Sequence, residues 1–169
     1  RIAIASGYCF AGNAVLAGGA DVIIATEDSS MGMGGPSMIE GGGLGVFHPK
    51  EIGPAKMLAE TGVIDVLVKD EATAVIAVKK YLSYFQGKLK DWTCSEQELL
   101  RTSIPDDRKY GYDVLKVIKV LADKDSILEL RPSFARNAVT TLVRIAGIPV
   151  GIIANSTRHL GGAIDSDAS

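Results

Sequence analysis

Cysteine and histidine are scarce in this chain. The two cysteines, Cys9 and Cys94, lie in different kinds of segment and match neither a disulfide framework nor a metal-ligand spacing, which points to a reduced, cytoplasmic setting. The two histidines, His48 and His159, have no Cys or Glu at ligand spacing, so no metal site is expected and both read as loop or surface residues. Charge of one sign is also missing. Eighteen Lys and Arg against twenty Asp and Glu leave a formal net charge of −2, excluding a whole-chain field that would recruit nucleic acid or an anionic membrane. No apolar run approaches the roughly 20 residues that span a bilayer, and the first residues carry no signal-peptide pattern. Short-period repeats and low-complexity tracts are absent too.

What is there is apolar and rich in glycine. With 169 residues, 47% of them apolar, the chain has the makings of a globular core. Arg1 stands directly before IAIA and the last residues, GGAIDSDAS, read as a loop, so a segment of a longer polypeptide is expected. IAIA (2–5) and DVIIAT (21–26) are continuous apolar runs of strand length, the pattern of strands covered on both faces. Between them AGNAVLAGG is compatible with a short helix that stops at Gly18 and Gly19. A second helix is expected from Pro36 to the glycines at 41–43, because proline suits a first helical position. GVIDVLV (62–68) reads as a strand and 70–85 as an amphipathic helix with acids in its first turn. The composition then turns polar over 86–111, a linker, before a helix at 112–123, strands at 127–130 and 139–147, and a strand at 148–155 after a turn at Gly147. The domain reading is therefore 1–86, a linker over 87–111, and a new unit over 112–169.

Two glycine turns could carry chemistry. A helix N-terminus offers unpaired N–H groups, and glycine there lets a ligand oxygen approach closely. Ala11-Gly12-Asn13 is such a place, and the Gly12 N–H could serve as an oxyanion donor. Close helix–strand packing uses the same small residues, and spacing alone does not separate the two. Gly34, Gly35 and Pro36 open the second helix and pose the same choice between lining a pocket and ending a helix. Glu40 reads as a solvated or paired helix residue. Cys9 reads as a packed, inert thiol, with no cation nearby in sequence. Trp92 and Cys94 read as anchors of the linker, Lys88, Lys90, Arg108 and Lys109 as solvated charges that could meet a phosphate, and GGAIDSDAS as a loop with an N-cap.

SGYCFAGNAVLAGGADVIIAT resembles the strand–helix–strand signature of the crotonase superfamily, in which a glycine turn feeds a helix and a D-x-x-x-A strand follows. The continuation, MGMGGPSMIEGGGLGVF, GVIDVLVKDEATAVIAVKKYLSYF, IPDDRKYGYDVLKVIKVLAD, ILEL, LVRIAGIPVGIIAN and GGAIDSDAS, resembles in order the carboxyltransferase (beta) subunit of biotin-dependent acyl-CoA carboxylases, of the acetyl- or propionyl-CoA type. That resemblance implies an incomplete α/β fold of crotonase-like (ClpP/crotonase) layered ββα architecture. Residues 1–86 resemble the latter part of a first, acyl-CoA-binding half, and 112–169 the junction and opening strands of a second, biotin-binding half.

The resemblance also implies a reaction: transfer of a carboxyl group from carboxybiotin to the α-carbon of a short acyl-CoA, acetyl- or propionyl-CoA. Gly12 falls on the glycine whose N–H forms half of the family's thioester oxyanion hole, with Ala11 and Asn13 shaping the turn and Gly34, Gly35 and Pro36 lining the same pocket. Hydratases of the superfamily place two glutamates near the thioester; Val15 and Gly35 stand at those positions here and cannot move a proton. Carboxybiotin itself decomposes to CO₂ and a basic ureido nitrogen, so the protein chiefly holds oxyanions and aligns substrates. Biotin on a partner domain or subunit, biotin carboxylase, biotin carboxyl carrier protein and a homo-oligomer of at least two copies are implied, and the segment alone is expected to be inactive. An acyl-CoA decarboxylase of the same superfamily and a non-catalytic assembly module are the alternatives.

Overall fold

The apolar runs at the start of the chain become parallel strands. A computed structural model describes residues 1–107 and 109–169. In chain order the elements are strands β1 (Ile2–Ala5) and β2 (Tyr8–Phe10), helix α1 (Gly12–Gly18), strands β3 (Val22–Thr26) and β4 (Ser30–Gly32), helices α2 (Pro36–Gly41) and α3 (Ala55–Glu60), strand β5 (Val66–Val68), helices α4 (Glu71–Ser83) and α5 (Val114–Leu121), and strands β6 (Leu128–Leu130), β7 (Ala138–Ile145) and β8 (Ile148–Asn155). The chain divides within α4 into two units, Arg1–Lys79 and Lys80–Ser169.

In the first unit β1, β3 and β5 form a parallel sheet in the order β1-β3-β5. Every residue of the central strand β3 is buried, which is why it reads as an unbroken apolar run. Ala14 and Ala17 of α1 are packed in the same core as Ala5, Ile23 and Ala25, small side chains that let the helix lie close to the sheet. A second, two-stranded parallel sheet pairs β2 with β4, and neither strand is expected from the sequence, since YCF and SMG are too short to show a period. Helix α3 is a further addition. The strand expected over 62–68 is shortened to Val66–Val68, because the N–H groups of Val63 and Ile64 both turn back onto the Leu58 carbonyl. Helix α4 starts where expected: the Asp70 carboxylate accepts from the Thr73 N–H at 2.8 Å and its hydroxyl at 2.7 Å, contacts that hold this carboxyl below its usual range.

The second unit is an antiparallel sheet, β6-β7-β8, with α5 packed on it through Val114 and Ile118 against Val139 and Val143. The turn expected at Gly147 is the two-residue corner Ala146-Gly147, both at positive φ (51° and 76°), which matches the strand twist. The polar segment 86–111 holds a short 3₁₀ helix, Gln97–Thr102, and is tied down by backbone: Leu89 donates to the Gly147 carbonyl at 3.0 Å, and Lys124 to Thr93 at 2.8 Å.

Beneath that corner lies a charged network that composition does not reveal. Buried Asp123 accepts from the N–H groups of Ala146 (3.0 Å) and Gly147 (2.7 Å). Buried Arg144 donates to the carbonyls of Gly87 (2.9 Å), Gly147 (2.6 Å) and Ser83, and its guanidinium stands 5.7 Å from the centre of the Tyr84 ring. The Tyr84 hydroxyl donates to the Ser126 carbonyl. Each charge is thus satisfied by backbone groups, the Gly147 carbonyl being shared with the Leu89 N–H.

Candidate functional site

Parallel pairing of β2 and β4 brings the two glycine turns together. Tyr8 stands opposite Ser30 and Phe10 opposite Gly32, and the Ala11 N–H then donates to the Gly32 carbonyl at 3.1 Å, carrying the contact one residue past the strands. The Phe10 ring seats on Gly35: a Cβ built there would lie 3.4 Å from Phe10 Cβ and 3.5 Å from its Cγ. Residues 11–13 and 34–36, more than twenty positions apart in sequence, therefore share one corner of the first unit. Gly35 is the extended residue before α2 (φ −84°, ψ 175°) and Pro36 is its first helical residue, as expected.

Ala11 is the strained element of this corner. Its backbone sits at φ 52° and ψ −122°, a conformation that costs a side-chain-bearing residue about 1–3 kcal/mol. That kink ends β2 and starts α1 at Gly12 with no side chain capping the helix. Among the described residues no acceptor meets the N–H groups of Gly12, Asn13 or Ala14, and the first intrahelical bond runs from Val15 to the Ala11 carbonyl at 3.1 Å. A Cβ built on Gly12 would touch nothing within 4 Å. Close packing of α1 thus resides in Ala14 and Ala17, and Gly12 is left with a free N–H and an open Cβ position.

No proton-transferring side chain stands at the two positions where hydratases carry acids. Val15 is apolar and exposed, and Gly35 has no side chain. Cys9 is partly buried against the core, and burial pushes its thiol up, the environment of a packed thiol. His48 caps the short helix Pro49–Glu51: its Nδ1 accepts from the Lys50 N–H at 3.2 Å while Glu51 accepts from the His48 N–H at 2.7 Å. His159 precedes a turn at 160–162. Glu40, Lys88, Lys90 and Lys109 are exposed, and Arg108 lies outside the described residues. Trp92 is exposed and Cys94 bridges to Asp123, so the cysteine is the better anchor of its segment. In the closing loop Asp165 accepts from the N–H groups of Asp167 and Ala168, an Asx-type cap, and the Asn137 side chain with these bonds holds its carboxyl low. Among the described residues no group of three His, Cys, Asp or Glu side chains is placed to hold a metal ion, and no helix is long and apolar enough to cross a membrane.

The feature that sequence reasoning missed is the Ala11 backbone together with the Gly32 carbonyl that receives its N–H. An alanine at positive φ leaves no compositional mark.

Comparison with known proteins covers the whole chain. The carboxyl transferase domain family matches residues 1–169. The methylmalonyl-CoA carboxyltransferase 12S subunit of Propionibacterium freudenreichii subsp. shermanii is 32% identical, the match covering 100% of this chain and 34% of that protein. A solved structure of a transcarboxylase 12S hexamer with hydrolysed methylmalonyl-coenzyme A bound superposes with a TM-score of 0.84 at 31% identity, over 99% of this chain and 35% of that one. A single-chain, multi-domain long-chain acyl-CoA carboxylase superposes with a TM-score of 0.96 at 53% identity, over 99% of this chain and 17% of that one. The chain spans about a third of the curated relative's length, and the part it spans has the crotonase-like α/β fold of these carboxyltransferases.

Proposed function

Because the chain belongs to the carboxyl transferase domain family, we propose that it is the part of an acyl-CoA carboxylase that binds the acyl thioester and steadies its enolate. The observation that carries this reading is the open Gly12 N–H at a strained turn with no acid beside it. Gly12 donates its N–H to the thioester oxygen as negative charge develops there, and the kink at Ala11 aims that donor before substrate arrives, which is how a preorganised dipole lowers a barrier. Asn13 continues the turn, while Gly34, Gly35 and Pro36 bound the same corner from α2. Carboxybiotin supplies the carboxyl group and the base for the α-proton. That division of labour fits Val15 and Gly35, which place no proton carrier at those two positions.

Residues 1–86 serve the acyl-CoA half and 112–169 open the biotin half, joined by 87–111. Biotin carboxylase and a biotin carboxyl carrier are the partners, and the 53% identity to a single-chain, multi-domain carboxylase supports their lying in the same polypeptide. The working form is a homo-oligomer, a reading that the hexamer of the 12S relative supports. For the acyl group, acetyl- and propionyl-CoA are what the sequence resemblance implies, but the same contrast, 53% against 31–32%, favours a long chain.

The experiment is carboxylation by the complete polypeptide with ATP, labelled bicarbonate and its biotin carrier, offered acetyl-, propionyl- and palmitoyl-CoA in turn. Label in palmitoyl-CoA product at the highest kcat/KM is expected. Label in the short products alone would restore the short-chain reading, and no label in any would sink carboxyl transfer.

A further inference from the structure

The segment that follows the second glycine turn is the longest fully exposed run of the first unit, and it carries large apolar side chains. All nine residues from 40 to 48, EGGGLGVFH, are exposed, and Leu44 and Val46 are 74% and 79% exposed. Met33 and Met38, just upstream, are 64% exposed each. Single exposed apolar residues are ordinary, but a run of them on one short segment marks a surface made to meet something apolar.

Its position says what. Met33 directly follows Gly32, whose carbonyl takes the Ala11 N–H, and Gly35 two residues later carries the Phe10 ring. Past α2 the chain folds back, with the Leu44 N–H on the Ile39 carbonyl at 3.1 Å, and Ile39 itself comes within contact of Gly34 (3.8 Å from a Cβ built there). The apolar segment is therefore continuous with the corner that holds Gly12. Four glycines in 41–45, with Gly43 and Gly45 at positive φ, leave the segment few side chains of its own, and the Phe47 ring lies over Gly45, 3.1 Å from a Cβ built there. Methionines and small residues suit an apolar chain of variable length, because the thioether repacks at little cost.

We infer that Met33, Met38, Leu44 and Val46 form the surface that receives the alkyl tail of a long-chain acyl-CoA whose thioester lies at Gly12. This rests on the reading of the Gly12 corner given above. A second copy of the chain, or the rest of the polypeptide, would be the other apolar occupants. The tail is favoured by the continuity with the thioester corner and by the 53% identity to a long-chain acyl-CoA carboxylase.

The test uses the complete polypeptide and the double variant Leu44→Ser/Val46→Ser, with Met38→Ser as a second variant, and compares kcat/KM for palmitoyl-CoA and propionyl-CoA. All three positions are exposed, so the fold should be retained, checked by unchanged melting and oligomer size. Burial of one methylene changes a binding constant about fourfold, so losing two aliphatic side chains should lower kcat/KM for palmitoyl-CoA at least tenfold while propionyl-CoA changes less than twofold. Equal losses for both substrates, loss of the oligomer, or no change in either would overturn the tail surface. So would a wild type that carboxylates propionyl-CoA only, an outcome that leaves carboxyl transfer at Gly12 standing. A wild type that carboxylates neither overturns both.

Discussion

Ala11 donates its backbone N–H to the carbonyl of Gly32 across 3.1 Å, and this one bond sets the open end of α1 beside the start of α2. It fixes the direction in which the next N–H, that of Gly12, is presented. The chemistry proposed for the corner therefore depends on a backbone contact between residues 21 positions apart.

Gly12→Pro removes the donor while keeping a residue that a first helical position accepts. Turnover of the complete enzyme should fall about 10²–10³-fold, and a melt taken alongside separates this loss from the constraint that proline places on the Ala11 backbone. Gly12→Ala keeps the N–H and, meeting nothing within 4 Å, should fold normally. A folded Gly12→Pro enzyme at full rate would return the turn to a packing role.

Ala11→Gly addresses the strain. Relief of the φ 52° conformation is opposed by the greater freedom of glycine in the unfolded chain, and the net expectation is a gain of about 1 kcal/mol, read as a higher denaturation midpoint. A loss of stability would mean that the alanine methyl packs where the strain argument assigns it nothing.

Gly35→Val should act at a distance through Phe10. The added side chain meets Phe10 Cβ at 3.4 Å and its ring at 3.5 Å, so the fold should lose about 1–3 kcal/mol, and KM for acyl-CoA should rise as the Ala11 turn is pushed aside. Steady-state kinetics alongside thermal melts would separate the two effects.

Gly147→Ala tests the corner of the second unit. Gly147 is at φ 76° and a Cβ there would fall 2.5 Å from the Leu89 carbonyl oxygen, so a loss of at least about 2 kcal/mol is expected. Asp123→Ala, which strips the buried Gly147 N–H and the partly buried Ala146 N–H of their acceptor, should cost about 1–3 kcal/mol for the first and less for the second. Hydrogen exchange at residues 146 and 147 would report both.

Tyr84 sets an alkaline limit. Burial pushes its phenol up to about 12, with the nearby Arg144 charge pulling the other way, against about 10 for a free tyrosine. Between those values the unfolded chain has lost the proton that the folded chain keeps. The stability contributed is complete below about pH 10 and is lost as pH rises towards 12. Phenolate absorbance of wild type and Tyr84→Phe, titrated in parallel, should differ by one group with a midpoint near 12.

Much of this molecule was legible from residues in order. The apolar runs IAIA and VIIAT both announce strands, but only the second is covered on both faces: every residue of β3 is buried, whereas β1 is an edge strand with Ile4 exposed. Pro36 and the glycines after Glu40 bracket α2, and Gly147 marks its hairpin, because backbone geometry there admits few residue types. The glycine turn and the want of acids at 15 and 35 could be read as well, since they are statements about side chains. What only the tertiary structure decided is which of these pieces meet. β2 and β4 exist through each other: three residues have no period, and the partners they pair with stand 22 positions away in the chain. The same pairing seats Gly35 on Phe10 and bends Ala11 to positive φ, and Asp123 and Arg144 find their carbonyl and N–H partners only when the hairpin closes. A sequence carries the chemistry of its side chains; the direction of a backbone N–H is a property of the fold, because it is set by contacts that no local stretch contains.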